Sequence, residues 1–292
     1  MKRFIYTLLV ILTTLSASAK NEVAKPDFAY PEKVSADAQK HLDKALASGD
    51  GRGVISSLIN YTIAQSLIDK DCLPATVKHI EQIAQAEKDP CTRALLYTLL
   101  VDIYIDIYNY DSSKYNNRNN ELLPLPDDIT TWDEKQFRHK IVTLSNSALE
   151  NADALQASPL KEYSTIINFD RETLIYYPTL FDFVARQICV QIDRIYPRST
   201  NPIPQTWFCN TQEFLNLEIP NAIPIQQLLL TTYKSLIRAN LNKVVPLISC
   251  EISRLTSPSI SYSLIFDIVG ETLRSLYDSF SNSEYSGDIL QH

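Results

Sequence analysis

The sequence predicts an all-α protein of stacked helical hairpins, in an irregular tetratricopeptide-like or α-solenoid arrangement. Apolar residues recur every three or four positions, as at Val54, Leu58, Ile59 and Ile63, which is the period of a helix with one buried face. Only five glycines are present, and an all-β sandwich or barrel would need more of them for its tight turns. Helix pairs of about 35–45 residues, each unable to bury its apolar face alone, are typical of such stacks.

Helix-start and helix-stop residues indicate where the elements lie. The first helix is expected to begin at the N-cap Ser35 and to stop at Gly49. Thr131 and Glu134 have the spacing of a capping box, which places a helix start after the polar, proline-broken stretch 109–128. Further helices are expected over 54–67, 73–89, 96–108, 131–157, 178–195, 225–244, 246–255 and 260–280.

One of these helices is expected to pack on two sides. Leu96, Leu100, Ile103 and Ile107 form one apolar stripe, and a second stripe of tyrosine and valine runs beside it at positions 97, 101, 104 and 108. A helix apolar over that much of its circumference belongs inside a stack.

The first twenty residues predict export. Lys2 and Arg3 precede an apolar run, and the small residues of "SASA" follow it, so a signal peptide is expected with cleavage after Ala19. The chain is therefore expected to be periplasmic or secreted. The organisation that follows is a signal peptide at 1–19, an extended leader at 20–34, an N-terminal helical block at 35–196, a proline-rich irregular connection at 197–222 and a C-terminal helical block at 223–292.

Charge and hydropathy narrow the range of partners. The net charge is −7 and becomes −9 without Lys2 and Arg3, which argues against nucleic acid or an anionic membrane as partner. The apolar run of the signal peptide is too short for a span of about 20 residues, and no stable membrane span is expected after cleavage. A protein partner is expected instead.

No residue pattern predicts an enzyme, a metal site or a cofactor. His41, His79 and His139 fall in amphipathic helices among polar residues, where solvated histidines are expected, and His292 is terminal. No histidine pair has the i, i+4 spacing of a metal site and no glycine-rich phosphate loop is present. The five cysteines show no disulfide framework, and most are expected to be small buried residues: Cys72, Cys91, Cys189, Cys209 and Cys250.

The stretch "CNTQ" has the spacing of an internal thioester between Cys209 and Gln212. The usual glutamate between them is Thr211, no glycine precedes the cysteine, and nothing around it predicts an apolar shield against hydrolysis. The thioester interpretation is therefore rejected.

Three aromatic residues lie in segments expected to be loops: Trp132, Trp207 and Phe208. An exposed aromatic residue in a loop often marks a contact, so these three are the candidate contact residues. The remaining aromatic stripes are more simply explained as core.

Several stretches resemble the N-terminal region of large exported bacterial alpha-2-macroglobulin-like proteins. They are "LINYTIAQSLI", "ALLYTLLVDIYIDIY", "TTWDEKQFRHKIVTLSNSAL", "YYPTLFDFVARQ" and "NSEYSGDIL". The resemblance implies a helical block that precedes macroglobulin β-sandwich domains, and protease inhibition by trapping. No trapping residue of that family maps onto this chain. The resemblance also implies that "NSEYSGDIL" starts another helix, so that the chain is truncated within the helical region.

The function expected from the sequence is a non-catalytic helical scaffold or interaction region of an exported alpha-2-macroglobulin-like protein. The alternative is a free-standing periplasmic helical-repeat protein that binds glycan or peptide through exposed aromatics. A periplasmic hydrolase with an irregular active site is the remaining alternative, and the sequence offers it no nucleophile–base pair or metal set.

Overall fold

A computed structural model describes residues 26–69, 72–196, 203–220, 222–257 and 266–281. The predicted signal peptide, the first part of the leader, part of the proline-rich connection and the end of the chain lie outside these residues. Within them the protein is all-α, as predicted, with thirteen α-helices and no β-strand. The helices are α1 (Pro31–Ser48), α2 (Gly51–Ile68), α3 (Leu73–Ala86), α4 (Pro90–Tyr110), α5 (Ser112–Asn116), α6 (Glu134–Leu149), α7 (Ala152–Ala157), α8 (Arg171–Tyr176), α9 (Leu180–Asp193), α10 (Thr211–Asn216), α11 (Pro224–Asn240), α12 (Val244–Leu255) and α13 (Phe266–Phe280).

The chain folds into two compact units. The first comprises the described residues up to 174 together with 179–184, and the second comprises 175–178 together with the described residues from 185 onwards. The described part of the proline-rich connection, 203–220, belongs to the second unit.

The first unit begins with a helical hairpin of α1 and α2. Gly49 ends α1 in the left-handed conformation (φ 68°), which glycine adopts without the steric penalty of a Cβ atom, and Asp50 then caps α2 by accepting a hydrogen bond from the Gly53 N–H at 3.0 Å. The predicted start at Ser35 is wrong, because α1 begins at Pro31. Ser35 is buried one turn inside the helix, where its hydroxyl accepts a hydrogen bond from Gln65 Nε2 of α2 at 2.8 Å.

Helix α4 is the inner helix of the first unit. It contacts α2, α3, α6 and α7, and nearly every residue from Cys91 to Tyr108 is buried. The prediction that this helix packs on two sides is confirmed. Asp89 fixes its start by accepting the Thr92 N–H at 2.7 Å, and Pro90 occupies the first turn, where its missing N–H is not needed.

The second unit is built on α11, α12 and α13. α12 packs against α11 and α13, and the 3₁₀ helix Gln205–Phe208 packs against α10 and α13. α11 ends at Asn240 and α12 begins at Val244, so each differs by up to four residues from its expected bounds.

Candidate functional site

The polar stretch before α6 lies at the surface, and hydrogen bonds anchor it to the start of that helix. The short helix α5 occupies its beginning, and residues 117–133 (the 117–133 connection) run from α5 to α6 with a 3₁₀ turn at Ile129–Thr131. Arg118 donates to the carbonyl oxygens of Thr130 and Trp132, and the Asn120 backbone N–H donates to Asp133 Oδ2 at 2.8 Å. These bonds fold the connection back onto the start of α6.

The capping box of α6 consists of Asp133 and Gln136. Asp133 Oδ1 accepts the Gln136 N–H at 2.8 Å, and Gln136 Oε1 accepts the Asp133 N–H at 3.0 Å. The predicted pair, Thr131 and Glu134, is therefore two residues out of register. Thr131 belongs to the preceding 3₁₀ turn, and its hydroxyl donates to the Asp128 carbonyl oxygen instead.

Trp132 is buried, with 3% of its surface exposed, so the expectation of an exposed aromatic is wrong here. Its ring stacks on Tyr104 of α4, with ring centroids 5.7 Å apart and planes 4° apart, and Phe137 meets its edge. Its indole N–H donates to the Pro126 carbonyl oxygen at 2.8 Å. Trp132 therefore joins the 117–133 connection to the core, and its ring offers no open face to solvent.

A pocket of about 190 Å³ lies between α3, α4, α6 and the 117–133 connection. One wall is apolar and has contributions from both α3 and the connection: Pro74, Val77, Leu125, Pro126 and Ile129. Sites for drug-sized ligands are about 300–1,000 Å³, so this pocket suits a small group or a short segment of chain.

The polar part of the pocket is an ion pair between two helices. Lys140 Nζ of α6 lies 2.7 Å from Glu81 Oε1 of α3, and the same carboxylate oxygen accepts a hydrogen bond from Tyr104 Oη at 3.0 Å. The side chains of Lys140 and Glu81 are 21% and 19% exposed. Burial, and then the charge of Glu81, raise the pKa of Tyr104 far above its ordinary value, so Tyr104 remains a neutral donor.

Two further charged residues line the pocket, Lys78 of α3 and Asp127 of the connection. Both are exposed residues, and neither forms an ion pair or side-chain hydrogen bond with a described residue. The adjacent Asp128 differs, because its carboxylate accepts both the N–H and the hydroxyl of Thr130, and these bonds hold its pKa below the usual range.

The second pair of candidate contact aromatics lies in the second unit and is also buried. Trp207 is 1% and Phe208 0% exposed, so the expected loop exposure is wrong for both. They form the 3₁₀ turn Gln205–Phe208, and the Trp207 ring packs edge-on against Phe214 and Tyr233. The sequence correctly indicates an irregular turn here. The two side chains are nevertheless buried, because a large apolar side chain gains free energy when it is removed from water.

Arg254 of α12 organises this segment. Its guanidinium donates to the carbonyl oxygens of Trp207 and Cys209, the latter at 3.0 Å, and it lies 4.3 Å from the centroid of the Phe214 ring. Its Nε donates to Glu251 Oε2 at 2.8 Å. The two side chains are 0% and 1% exposed, which makes this ion pair part of the core.

The residues of the rejected thioester motif have different surroundings. Cys209 is half-buried at the end of the 3₁₀ turn, and burial raises the pKa of its thiol. Gln212 is exposed in the first turn of α10. Among the other cysteines, Cys91, Cys189 and Cys250 are buried, as expected for small apolar residues, and Cys72 is half-buried.

The histidines fall into two environments. His41 is exposed on α1, as expected, but His79 on α3 is half-buried and meets the edge of Tyr61 at a ring-centroid distance of 6.3 Å. The described ranges contain no group of three or more His, Cys, Asp and Glu side chains placed to hold a metal ion.

Sequence reasoning missed the residues that give the pocket its polarity, Glu81 and Lys140, and the buried Arg254. Glu81 and Lys140 lie on different helices, so no local spacing joins them. Arg254 follows Glu251 by three residues, a spacing that normally indicates a surface pair. The run "WDEKQF" contributes only Trp132 to the lining of the pocket, and its spacing gives no sign of Glu81 or Lys140.

Comparisons with other proteins give the chain no family. No helix in the described part of the chain is long and apolar enough to cross a membrane. The chain matched no protein-family model, no curated protein and no solved structure.

Proposed function

We propose that the protein is a non-catalytic helical scaffold that binds protein partners, and that the first unit takes an extended segment of a partner into the pocket. The observation that carries the proposal is the pairing of an apolar wall with a partly exposed ion pair in one small pocket. Peptide and ligand sites are built this way, with a mostly apolar lining and a few polar groups that fix orientation. Stacked helix pairs commonly present such sites on an extended surface.

The exported setting and the alpha-2-macroglobulin-like context form part of the same proposal. The basic and apolar pattern of residues 1–19 supports export, and the "WDEKQF" and "PTLFDF" stretches support the family context. In that context the helical units would hold or position other domains or partner proteins.

The glycan-binding alternative has less support than peptide binding. The three aromatics on which it depended, Trp132, Trp207 and Phe208, are buried, so none of them presents an open ring face to a sugar. Peptide recognition needs no such face, because backbone hydrogen bonds and an apolar wall supply the contacts.

Selection of binders from a displayed random-peptide library tests the proposal. The selected peptides are then synthesised and their affinity for the protein is measured by calorimetry. Leu125→Glu places a charge on the apolar wall and is expected to weaken binding at least tenfold. Leu122→Glu is the matched control, because Leu122 belongs to the same connection, is 43% exposed and does not line the pocket. Peptides that bind both variants equally, or a selection that enriches none, would count against the proposal.

A further inference from the structure

The charges around the pocket balance. Lys78 and Lys140 carry positive charge, and Glu81 and Asp127 carry negative charge. A ligand with a net charge would therefore be attracted by two of these side chains and repelled by the two of its own sign. It would also lose hydration on entering the pocket. A neutral but polar group avoids both penalties.

The Glu81–Lys140 pair has unused hydrogen-bonding capacity on both sides. Glu81 Oε1 accepts from Lys140 and from Tyr104, whereas Oε2 makes no bond to a described residue. The Lys140 ammonium has three N–H donors, and one of them serves Glu81. An acceptor and a donor therefore lie side by side in the pocket, and this is the complement of the C=O and N–H groups of a peptide backbone.

The volume sets the size of the occupant. A benzene molecule, with six heavy atoms, fills an apolar cavity of about 150 Å³. At about 190 Å³, the pocket has room for one aliphatic or prolyl side chain with part of its backbone. Its apolar wall includes Val77, Leu125 and Ile129, which suit a side chain of that kind.

We infer that the pocket binds a single neutral aliphatic or prolyl residue from the interior of an extended peptide. A backbone C=O of the peptide accepts from Lys140 Nζ, and a neighbouring backbone N–H donates to Glu81 Oε2. The inference rests on the proposed function and narrows it, since it excludes chain termini and charged side chains as the group that enters the pocket.

The two tryptophans supply a built-in readout. The chain has only Trp132 and Trp207. The Trp132 indole N–H donates to the carbonyl oxygen of Pro126, which belongs to the apolar wall. Trp207 lies in the second unit, and its Nε1 has no hydrogen-bond partner among the described residues. Filling the pocket should shift the Trp132 indole signal in an NMR spectrum of ¹⁵N-labelled protein and leave the Trp207 signal in place.

The probes are tripeptides with alanine at both flanks, acetylated at one end and amidated at the other. Those with central leucine or proline are expected to shift the Trp132 signal with a dissociation constant on the order of 0.1–1 mM. Central aspartate or lysine is expected to weaken binding at least tenfold. Because the favoured probes are neutral, their affinity should change less than twofold between low and high salt. Leu125→Glu should abolish the shift and Leu122→Glu should preserve it.

The possible results separate the inference from the proposed function. If charged or uncapped tripeptides shift the Trp132 signal more strongly than the neutral capped ones, the inference is overturned and peptide binding stands. If only peptides from the library selection bind, and they shift the Trp207 signal alone, the pocket is the wrong site. If no peptide shifts either signal, both the inference and the proposed function are overturned.

Discussion

The regions around Trp132 and Trp207 are built from similar parts and differ in how far their charged side chains are open to solvent. In each, a tryptophan on a short 3₁₀ turn or directly after one packs onto a tyrosine of a neighbouring helix, and a basic side chain anchors the irregular backbone. Arg118 donates to carbonyl oxygens of the 117–133 connection, and Arg254 does the same for the segment at 207–209.

The difference lies in the ion pairs. Glu81 and Lys140 are about one-fifth exposed, whereas Glu251 and Arg254 are almost completely buried. Arg254 directs its bonds to Glu251 and to two backbone carbonyl oxygens, so it has little capacity left for a ligand. The difference in exposure leaves the Glu81–Lys140 pair accessible to a ligand, as the proposed function requires, whereas the Glu251–Arg254 pair is closed to solvent and its bonds are made within the fold.

The largest expected effect is that of breaking the closed pair. Arg254→Met leaves the buried Glu251 carboxylate without its cation and removes the donors to the Trp207 and Cys209 carbonyl oxygens. We expect a loss of about 3–5 kcal/mol in the free energy of unfolding of the second unit, measured by urea denaturation. A loss below 1 kcal/mol would contradict the structural role.

The double variant Arg254→Met with Glu251→Met is the control for that prediction. It removes the stranded charge, so part of the stability should return, while the two unpaired carbonyl oxygens keep the double variant about 1–3 kcal/mol below the wild type.

The next effect comes from pH, and it applies to both regions. Burial is the first cause that raises the pKa of Tyr104 and of Tyr233, and for Tyr104 the charge of Glu81 adds to it. Above about pH 10 the unfolded chain loses these phenolic protons and the native state keeps them, so stability is complete below that pH and falls as the pH rises.

Each such tyrosine should lower the free energy of unfolding by about 1.4 kcal/mol in total between about pH 9 and 11, with most of the loss above pH 10. Urea denaturation at several pH values in this range measures the change. Tyr104→Phe and Tyr233→Phe should each make the loss smaller than in the wild type. Equal losses in all three proteins would show that these phenols do not remain protonated.

A smaller effect is expected from the cap of α6. Asp133→Ala removes the acceptor for the Gln136 N–H and for the Asn120 N–H, so α6 and the 117–133 connection both lose an anchor. We expect a loss of about 2 kcal/mol in the free energy of unfolding, together with weaker peptide binding.

Asp50→Ala is the matched control, because Asp50 caps α2 in the same way but anchors no connection at the pocket. It should cost about 1 kcal/mol and leave peptide affinity unchanged. Equal effects of the two variants on affinity would argue against the role of the connection in shaping the pocket.

The smallest expected effect on stability comes from the open ion pair. Lys140→Met keeps the apolar stem of the lysine and removes its charge, and since the pair with Glu81 is partly exposed we expect a cost of less than about 1 kcal/mol. Peptide affinity should nevertheless fall about tenfold, because the variant loses the proposed charge-assisted hydrogen bond from Lys140 to the peptide. Lys44→Met, on an exposed residue of α1, should change neither quantity.

Much of the helical architecture could be predicted from the sequence because its causes are local. Gly49, Asp50 and the apolar stripes of α4 act through backbone conformation and helical period, and the structure confirms them. The starts at Ser35 and Thr131 are misplaced for two reasons. Helix α1 begins earlier, at Pro31, whose fixed φ and missing N–H suit a first turn, and Asp133 rather than Thr131 caps α6.

The pocket could not be predicted, because its causes are tertiary. Glu81, Tyr104 and Lys140 meet only when α3, α4 and α6 pack together. The same packing decides that Trp132 and Trp207 are core residues, although their positions beside turns indicated exposure.

Hydrogen–deuterium exchange with and without a selected peptide tests directly whether the peptide binds at the pocket, because amides along the whole chain are followed in one experiment. We expect slower exchange in the 117–133 connection and at the start of α3, with the segment 203–216 unchanged. Protection confined to 203–216, or none at the pocket when the peptide is bound, would contradict the assignment of the Glu81–Lys140 pocket as the binding site.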